Sequence, residues 1–336
     1  MARRIAVEEA FVTREIAEEW DKALLSKFVE PGFLKVGQSI LAKTPLTNEL
    51  HERLFDLGTG RIVQMDGDGI DLAVLSLTSP GVQVLDAVTA MELAAASNDA
   101  LAAAVKAHPT RYAGLAAVAP QYPKGAVKEL ERAAGKLAMK GVIINSHTQG
   151  EYLDDAKYWP ILEAAEALGL PIYLHPREPA PSMVGPYLDY GLYFASWGFA
   201  AETGVHALRL ILSGVLDRFP KLMIVLGHMG EGIPFWLQRI DNRHQVEVKI
   251  GAARKLPRLP SEYFEDNFVI TTSGVTFGPA LRLALDVLGA DRILFAADYP
   301  YEVAADSVSF LDKASISEEE RAKIYWQNAT RVFRLG

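Results

Sequence analysis

Strand-length apolar runs recur along this chain, with helix-patterned stretches between them. The runs are IAVEEAF (5–11), DLAVLSLTSP (71–80), YAGLAAVAP (112–120), GVIINSH (141–147), PIYLHP (171–176), LMIVLGHMG (222–230), NFVITTSG (267–274) and RILFAADYP (292–300). Segments such as AVTAMELAAASNDALAAAVKAH (87–108), AVKELERAAGKLAM (126–139) and YWPILEAAEALG (158–169) lie between them, with apolar residues at helical spacing. Near-continuous apolar strands alternating with amphipathic helices predict a parallel sheet covered on both faces. Eight such units favour an α/β fold of the closed (β/α)8 type, a TIM barrel, over an open sheet. No glycine-rich dinucleotide fingerprint follows the first run, which argues against a Rossmann arrangement.

Two stretches break the alternation. Residues 12–60 form a long insertion after the first strand, and residues 177–205 form another after the fifth. Insertions of this length serve as lids or interface elements. The second, REPAPSMVGPYLDYGLYFASWGFAAETG, is rich in aromatic residues and glycine, which suits either an aromatic substrate pocket or a subunit interface. Neither a low-complexity tract nor a domain linker is visible, so the expectation is one barrel domain over 1–336.

Composition narrows the function. Half of the 336 residues are hydrophobic, enough for a large core, and the formal charge of −8 leaves no basic footprint for nucleic acid. Cysteine is absent, which removes disulfides, thiolate ligands and a cysteine nucleophile. The N-terminus MARRIAVEE meets carboxylates before any signal-peptide core could form, and no apolar run approaches the roughly 20 residues of a membrane span. These features predict a soluble cytoplasmic protein with a small-molecule partner.

In a barrel, chemistry sits at the C-terminal ends of the strands. The residues there are Glu8, Thr78, His147, His175, His228 and Asp298. Three histidines and two acids converging on one rim point to a metal or acid–base site. His51, His108, His206 and His244 lie in helix-like surroundings and are read as packing or surface residues. Glu8, His175 and Asp298 offer two carboxylates and an imidazole, a set that suits Mn²⁺ or Zn²⁺ with positions left open. Strand alternation allows only one of Glu8 and Glu9 to face inward, and parity alone does not choose between them. His228 precedes Glu231 by three residues in GHMGEG, close enough for the carboxylate to orient the imidazole.

VEEAF, TSPGVQ, NSHTQG, IYLHP, GHMGE and FAADYPY, in this order over residues 5 to 334, resemble the amidohydrolase-superfamily aromatic acid decarboxylases. That group includes the 5-carboxyvanillate type, which is most similar, and the γ-resorcylate and 2,3-dihydroxybenzoate types. The resemblance implies non-oxidative, metal-dependent decarboxylation of an ortho-hydroxy aromatic carboxylate, by ring protonation and then CO₂ loss. It also implies that Glu8, rather than Glu9, joins His175 and Asp298 in holding a divalent ion. Mn²⁺ is foremost, Zn²⁺ and Mg²⁺ are alternatives, and no organic cofactor is expected. Asp298 would deliver the proton, with His228 and Glu231 as its relay. Thr78, His147, Phe199 and Tyr301 match substrate-pocket positions. Arg239 matches an arginine that reaches a neighbouring subunit's site, implying a homodimer or homotetramer. Ala10 stands where several relatives, the resorcylate type among them, carry a histidine; the carboxyvanillate type shares the alanine, so the departure points to a subgroup. Leu46 stands near that type's additional arginine for a second carboxylate, and Arg53 lies too far along to be an obvious substitute.

Two other readings compete. A lactone or amide hydrolase could use the same barrel and metal, although Glu8 and Ala10 replace its usual His-x-His; it would release no CO₂. A non-catalytic barrel would bind no metal at all.

Overall fold

The computed structural model describes residues 3–336, so the first two residues of the expected 1–336 domain lie outside it. Its strands are β1 (Ile5–Phe11), β2 (Leu72–Leu77), β3 (Tyr112–Gly114), β4 (Ala116–Ala117), β5 (Val142–Asn145), β6 (Ile172–His175), β7 (Ile224–Leu226), β8 (Phe268–Thr271) and β9 (Ile293–Leu294). All neighbouring pairs are parallel and follow chain order. β3 and β4 are two pieces of one barrel strand, broken at Leu115. The Leu115 N–H donates to Leu75 O at 2.9 Å, and the Ala116 N–H donates to Gly141 O at 2.9 Å, so the sheet continues across the break. The Val7 N–H donates to Phe295 O (3.1 Å) and the Ala10 N–H to Tyr299 O (2.8 Å), which closes the ring between the first and last strands. The sheet is the expected (β/α)8 barrel.

Every strand residue is buried, as a sheet covered on both faces requires. Val142, Ile144, Ile172, Leu174, Ile224 and Leu226 are fully shielded from solvent. Around them run helices Ala87–Ala107, Pro123–Lys136 and Trp159–Leu168, within three residues of the stretches predicted from periodicity. The first is capped by Asp86, whose carboxylate accepts the N–H groups of Val88 and Thr89 at 3.0 and 3.1 Å. Among the described residues no helix is long and apolar enough to cross a membrane.

The first insertion folds into helices Arg14–Leu24, Pro31–Gly37 and Pro45–Phe55, and the regular barrel helix Thr59–Asp68 follows. Three buried groups tie these helices down. Trp20 donates its indole N–H to Gly81 O at 2.8 Å. The buried guanidinium of Arg61 donates to the carbonyls of Ala10 (2.7 Å), Arg53 (2.9 Å) and Asp56 (2.8 Å), fastening β1 to the insertion. Arg177, fully buried in the second insertion, pairs with Glu178 and reaches Glu30 of the first at 2.5 Å. The two insertions are therefore joined to each other as well as to the barrel.

The second insertion is shorter than expected. Irregular chain with one short turn occupies residues 176–197, and helix Gly198–Leu212 begins inside the stretch read as insertion through 205. Gly198 and Gly204 dilute the helical pattern there. Gly198 is dictated by space, since a Cβ would lie 2.3 Å from Leu192 O.

Candidate metal and acid–base site

β1 carries a register irregularity between Ala6 and Glu9. Glu8 projects into the barrel, while Glu9 is buried on the outer side. Glu9 accepts the Ala297 N–H at 3.1 Å; burial pushes its carboxyl up to about 8, with Ala297 and nearby Arg61 opposing. Glu8 meets different surroundings. Its Oε2 accepts hydroxyls from Tyr173, Ser273 and Thr271, the last at 3.1 Å. Burial would push the Glu8 carboxyl up, but His228, His175 and the hydroxyls of Ser273 and Tyr173 outweigh it and hold it down. Its other oxygen, Oε1, is buried without a hydrogen-bond partner among the described residues. The nearest groups are His175 Nε2 at 3.5 Å and His228 Nε2 at 3.8 Å, both beyond good hydrogen bonds. Gly227 keeps this space open, because a Cβ there would stand 3.1 Å from Glu8 Oε2.

His175 ends β6. Its Nδ1–H donates to Pro176 O at 2.8 Å, which leaves the Nε2 lone pair facing Glu8. Burial pushes this imidazole down, against the pull of Glu8, so the ring is neutral and able to act as a ligand.

His228 follows β7 in a backbone of unusual hand. His228, Met229, Gly230, Glu231 and Gly232 all have positive φ, at 50°, 55°, 78°, 52° and 77°. Each non-glycine residue there costs roughly 1–2 kcal/mol. The left-handed turn places Glu231 Oε1 2.8 Å from His228 Nδ1, as the three-residue spacing suggested. His228 Nε2 then points to Asp298 Oδ2 at 3.6 Å. Asp298 lies beyond β9 and is also in the left-handed region, at φ 59°. Burial pushes its carboxyl up to about 6, with Glu8 adding and His228 opposing. Burial also disfavours a charged His228, but Glu231, Glu8 and Asp298 together hold its pKa well above the ordinary value. At neutral pH the proton of this pair rests mainly on His228, and Asp298, raised to about 6, is within easy reach of protonation by it.

Glu8, His228 and Asp298 offer ligand atoms within 4.8 Å of one another, and His175 joins the group through Glu8 Oε1. The unpaired anionic oxygen, the free imidazole lone pair and the second carboxylate fit a divalent cation. His228 has one nitrogen engaged by Glu231 and the other aimed at Asp298, a geometry suited to carrying protons.

These groups open into a cavity of about 390 Å³ that His175, His228 and Asp298 line together with Thr78, Phe199 and Tyr301. Thr78 Oγ1 and the Tyr301 hydroxyl are hydrogen-bonded at 2.7 Å. The structure does not bring His147 into this lining. Its Nδ1 accepts the Gly150 N–H (3.0 Å) and its Nε2–H donates to Glu178 O (3.1 Å), so both nitrogens are spent on the loop. Arg239 lies outside this chain's own cavity, exposed in a surface groove with Trp197 and Trp236. The four remaining histidines behave as packing or surface groups; His206, for example, is buried and accepts the Leu153 N–H at 3.0 Å. Tyr173 and Ser273 were missed from sequence. Tyr173 could have been found, since it precedes His175 by two residues and a strand repeats its faces every two.

The sequence matches the model of the amidohydrolase family over residues 63–335. The chain belongs to this family. Among its amidohydrolase relatives, the γ-resorcylate decarboxylase of Polaromonas sp. strain JS666 is 42% identical over 299 residues, covering 86% of this chain and 90% of the relative. The 5-carboxyvanillate decarboxylase structure from Sphingomonas paucimobilis superposes with a TM-score of 0.96 at 43% identity, covering all of both chains. The 5-carboxyvanillate decarboxylase of Novosphingobium aromaticivorans DSM 12444, with bound manganese and 3-methoxy-4-hydroxy-5-nitrobenzoic acid, gives a TM-score of 0.97 at 40% identity, covering 99% of this chain and 97% of that one.

If Glu8 is a ligand, Glu8→Gln will weaken Mn²⁺ binding by about tenfold or more while the circular dichroism spectrum is retained. Titration calorimetry measures this. A folded variant that binds Mn²⁺ like the parent would remove Glu8 from the ligand set.

Proposed function

We propose that this protein is a carboxy-lyase that removes CO₂, without oxidation, from ortho-hydroxy aromatic carboxylates such as 5-carboxyvanillate, γ-resorcylate or a related hydroxybenzoate. The observation that carries this reading is that a cation-ready carboxylate, Glu8, lies directly behind the cavity lining, within 4.8 Å of a facing acid–base pair, His228–Asp298. The relatives named as decarboxylases support it, including one solved with manganese and a hydroxynitrobenzoate.

Glu8, His175 and Asp298 would hold the divalent ion, Mn²⁺ in our reading. When bound, it supplies positive charge that steadies a substrate's phenolate and adjacent carboxylate. The remaining chemistry belongs to the chain. Direct loss of CO₂ from an aromatic ring would leave an in-plane carbanion without resonance. Protonation of the carboxylate-bearing ring carbon avoids this. Asp298 gives its proton to that carbon, the C–C bond electrons then return to the ring, and CO₂ departs. The ring itself accepts the electron pair, so an organic electron sink is not required. His228 Nε2, facing Asp298 across 3.6 Å that must shorten for transfer, returns a proton to the carboxylate, and Glu231 balances the imidazolium charge. Phe199 borders the ring, and Thr78 and Tyr301 furnish hydroxyls on the wall. His147 acts at one remove, by holding the loop that carries Glu178.

The same reading takes the chain as one barrel domain in the cytoplasm that works as a homodimer or homotetramer, with Arg239 serving a neighbouring subunit's cavity. Exposed Phe235 and Trp236, 71% and 50% accessible beside Arg239, support such a contact.

Ultraviolet assays with Mn²⁺ on 5-carboxyvanillate, γ-resorcylate and 2,3-dihydroxybenzoate test the activity, and failure on all three would sink it. Asp298→Asn, reconstituted with metal, is expected to lose about 10²–10⁴-fold in kcat. A metal-loaded variant at parental rate would dismiss Asp298 as proton donor. Mixing Asp298→Asn with Arg239→Ala subunits should restore activity beyond either alone; no recovery in demonstrated mixed oligomers would contradict a shared site.

A further inference from the structure

The cavity has a second wall, built by the first insertion, that none of this chemistry uses. Leu46, Leu50 and Arg53 line it at spacings of four and three residues, so one face of helix Pro45–Phe55 meets the cavity. Val36, Ile40 and Leu41 line it as well. Leu46 is 82% exposed, an apolar side chain standing in solvent at the edge of a cavity whose floor is charged. The cation on this wall, Arg53, is already paired with Glu49 at 2.5 Å, and Glu49 also lines the cavity. Glu302, from the loop after β9, puts a further acid elsewhere in the lining. An anionic substituent reaching this wall would meet leucines and an arginine whose charge Glu49 balances. An apolar substituent would cover Leu46 and Leu50.

We infer that the insertion wall selects the substrate's remote substituent, and that this enzyme prefers an ortho-hydroxy aromatic acid carrying an alkyl group over one carrying a second carboxylate. The inference rests on the decarboxylase reading and names its substrate class. The hydroxyl and the departing carboxylate face the floor. The opposite ring edge faces the insertion, where burial of methylenes favours binding and burial of an unpaired carboxylate opposes it. Leu46 and Leu50 act on specificity, through contact with that edge.

The test compares kcat/KM of the Mn²⁺-loaded protein on 2-hydroxybenzoates carrying hydrogen, methyl, ethyl, propyl or carboxylate para to the hydroxyl. 2,6-Dihydroxybenzoate is the reference. Each methylene is expected to raise kcat/KM by about threefold, and the dicarboxylate to fall about tenfold or more below the unsubstituted acid. Leu46→Arg should reverse the order in favour of the dicarboxylate, and Leu46→Ser should flatten the alkyl series; both change an exposed side chain. Turnover of the reference without an alkyl gain, or with the dicarboxylate preferred by the parent, overturns the inference and leaves the decarboxylase reading standing. An unchanged order in both Leu46 variants overturns the role given to Leu46. CO₂ release from none of the acids removes the decarboxylase reading and the inference with it.

Discussion

Glu8 is an ionised carboxylate sealed inside the barrel with one oxygen satisfied and the other left open. Three hydroxyls, from Tyr173, Ser273 and Thr271, hold Oε2 in place. Oε1 faces two imidazoles at distances too long for hydrogen bonds. A buried anion is costly in a low-dielectric interior unless a positive charge answers it. Protonated His228 supplies part of that charge, and a divalent cation would supply the rest. Much of the surrounding architecture follows from this need: a glycine at 227 that leaves space, a neutral His175 fixed by its neighbour's carbonyl, and an acid at 298 that burial raises to about 6.

The backbone bears the cost of this arrangement. The left-handed turn at 228–232 includes His228, Met229 and Glu231, which are not glycines, and Asp298 adds a similar conformation across the site. At roughly 1–2 kcal/mol each, such residues persist only when surrounding packing enforces them. Here they aim two acid–base groups at one another and at the cavity floor. Four of the nine non-glycine residues with positive φ among the described residues gather where the charges converge, as a preorganised proton relay would require.

Much of this was legible in the sequence. Apolar runs of strand length told the fold, and the rule that barrels carry chemistry at strand ends singled out Glu8, His175, His228 and Asp298. The same rule failed for His147. The chain turns at Ser146 with φ 41°, and the next ring is directed into the loop, toward Gly150 and Glu178. A one-residue turn of that kind leaves no mark in periodicity. The choice between Glu8 and Glu9 was open for a related reason, since the irregularity in β1 belongs to its pairing with β2 and not to its own residues. The wall formed by Leu46, Leu50 and Arg53 was visible as a helical face, but only tertiary packing decides that the face meets the cavity.

The site thus joins a place for a cation with a neighbouring carboxyl group, raised to about 6, that a protonated histidine faces. The central claim is that a solvent-exchangeable proton delivered at this site replaces the departing carboxylate on the same ring carbon. Turnover in D₂O, followed by proton NMR and by mass analysis of the phenol, tests it most directly. The account predicts free CO₂ and a single deuterium on the carbon that had carried the carboxylate, in a Mn²⁺-dependent reaction. CO₂-free hydrolysis, or a product labelled at any other ring carbon, would contradict it.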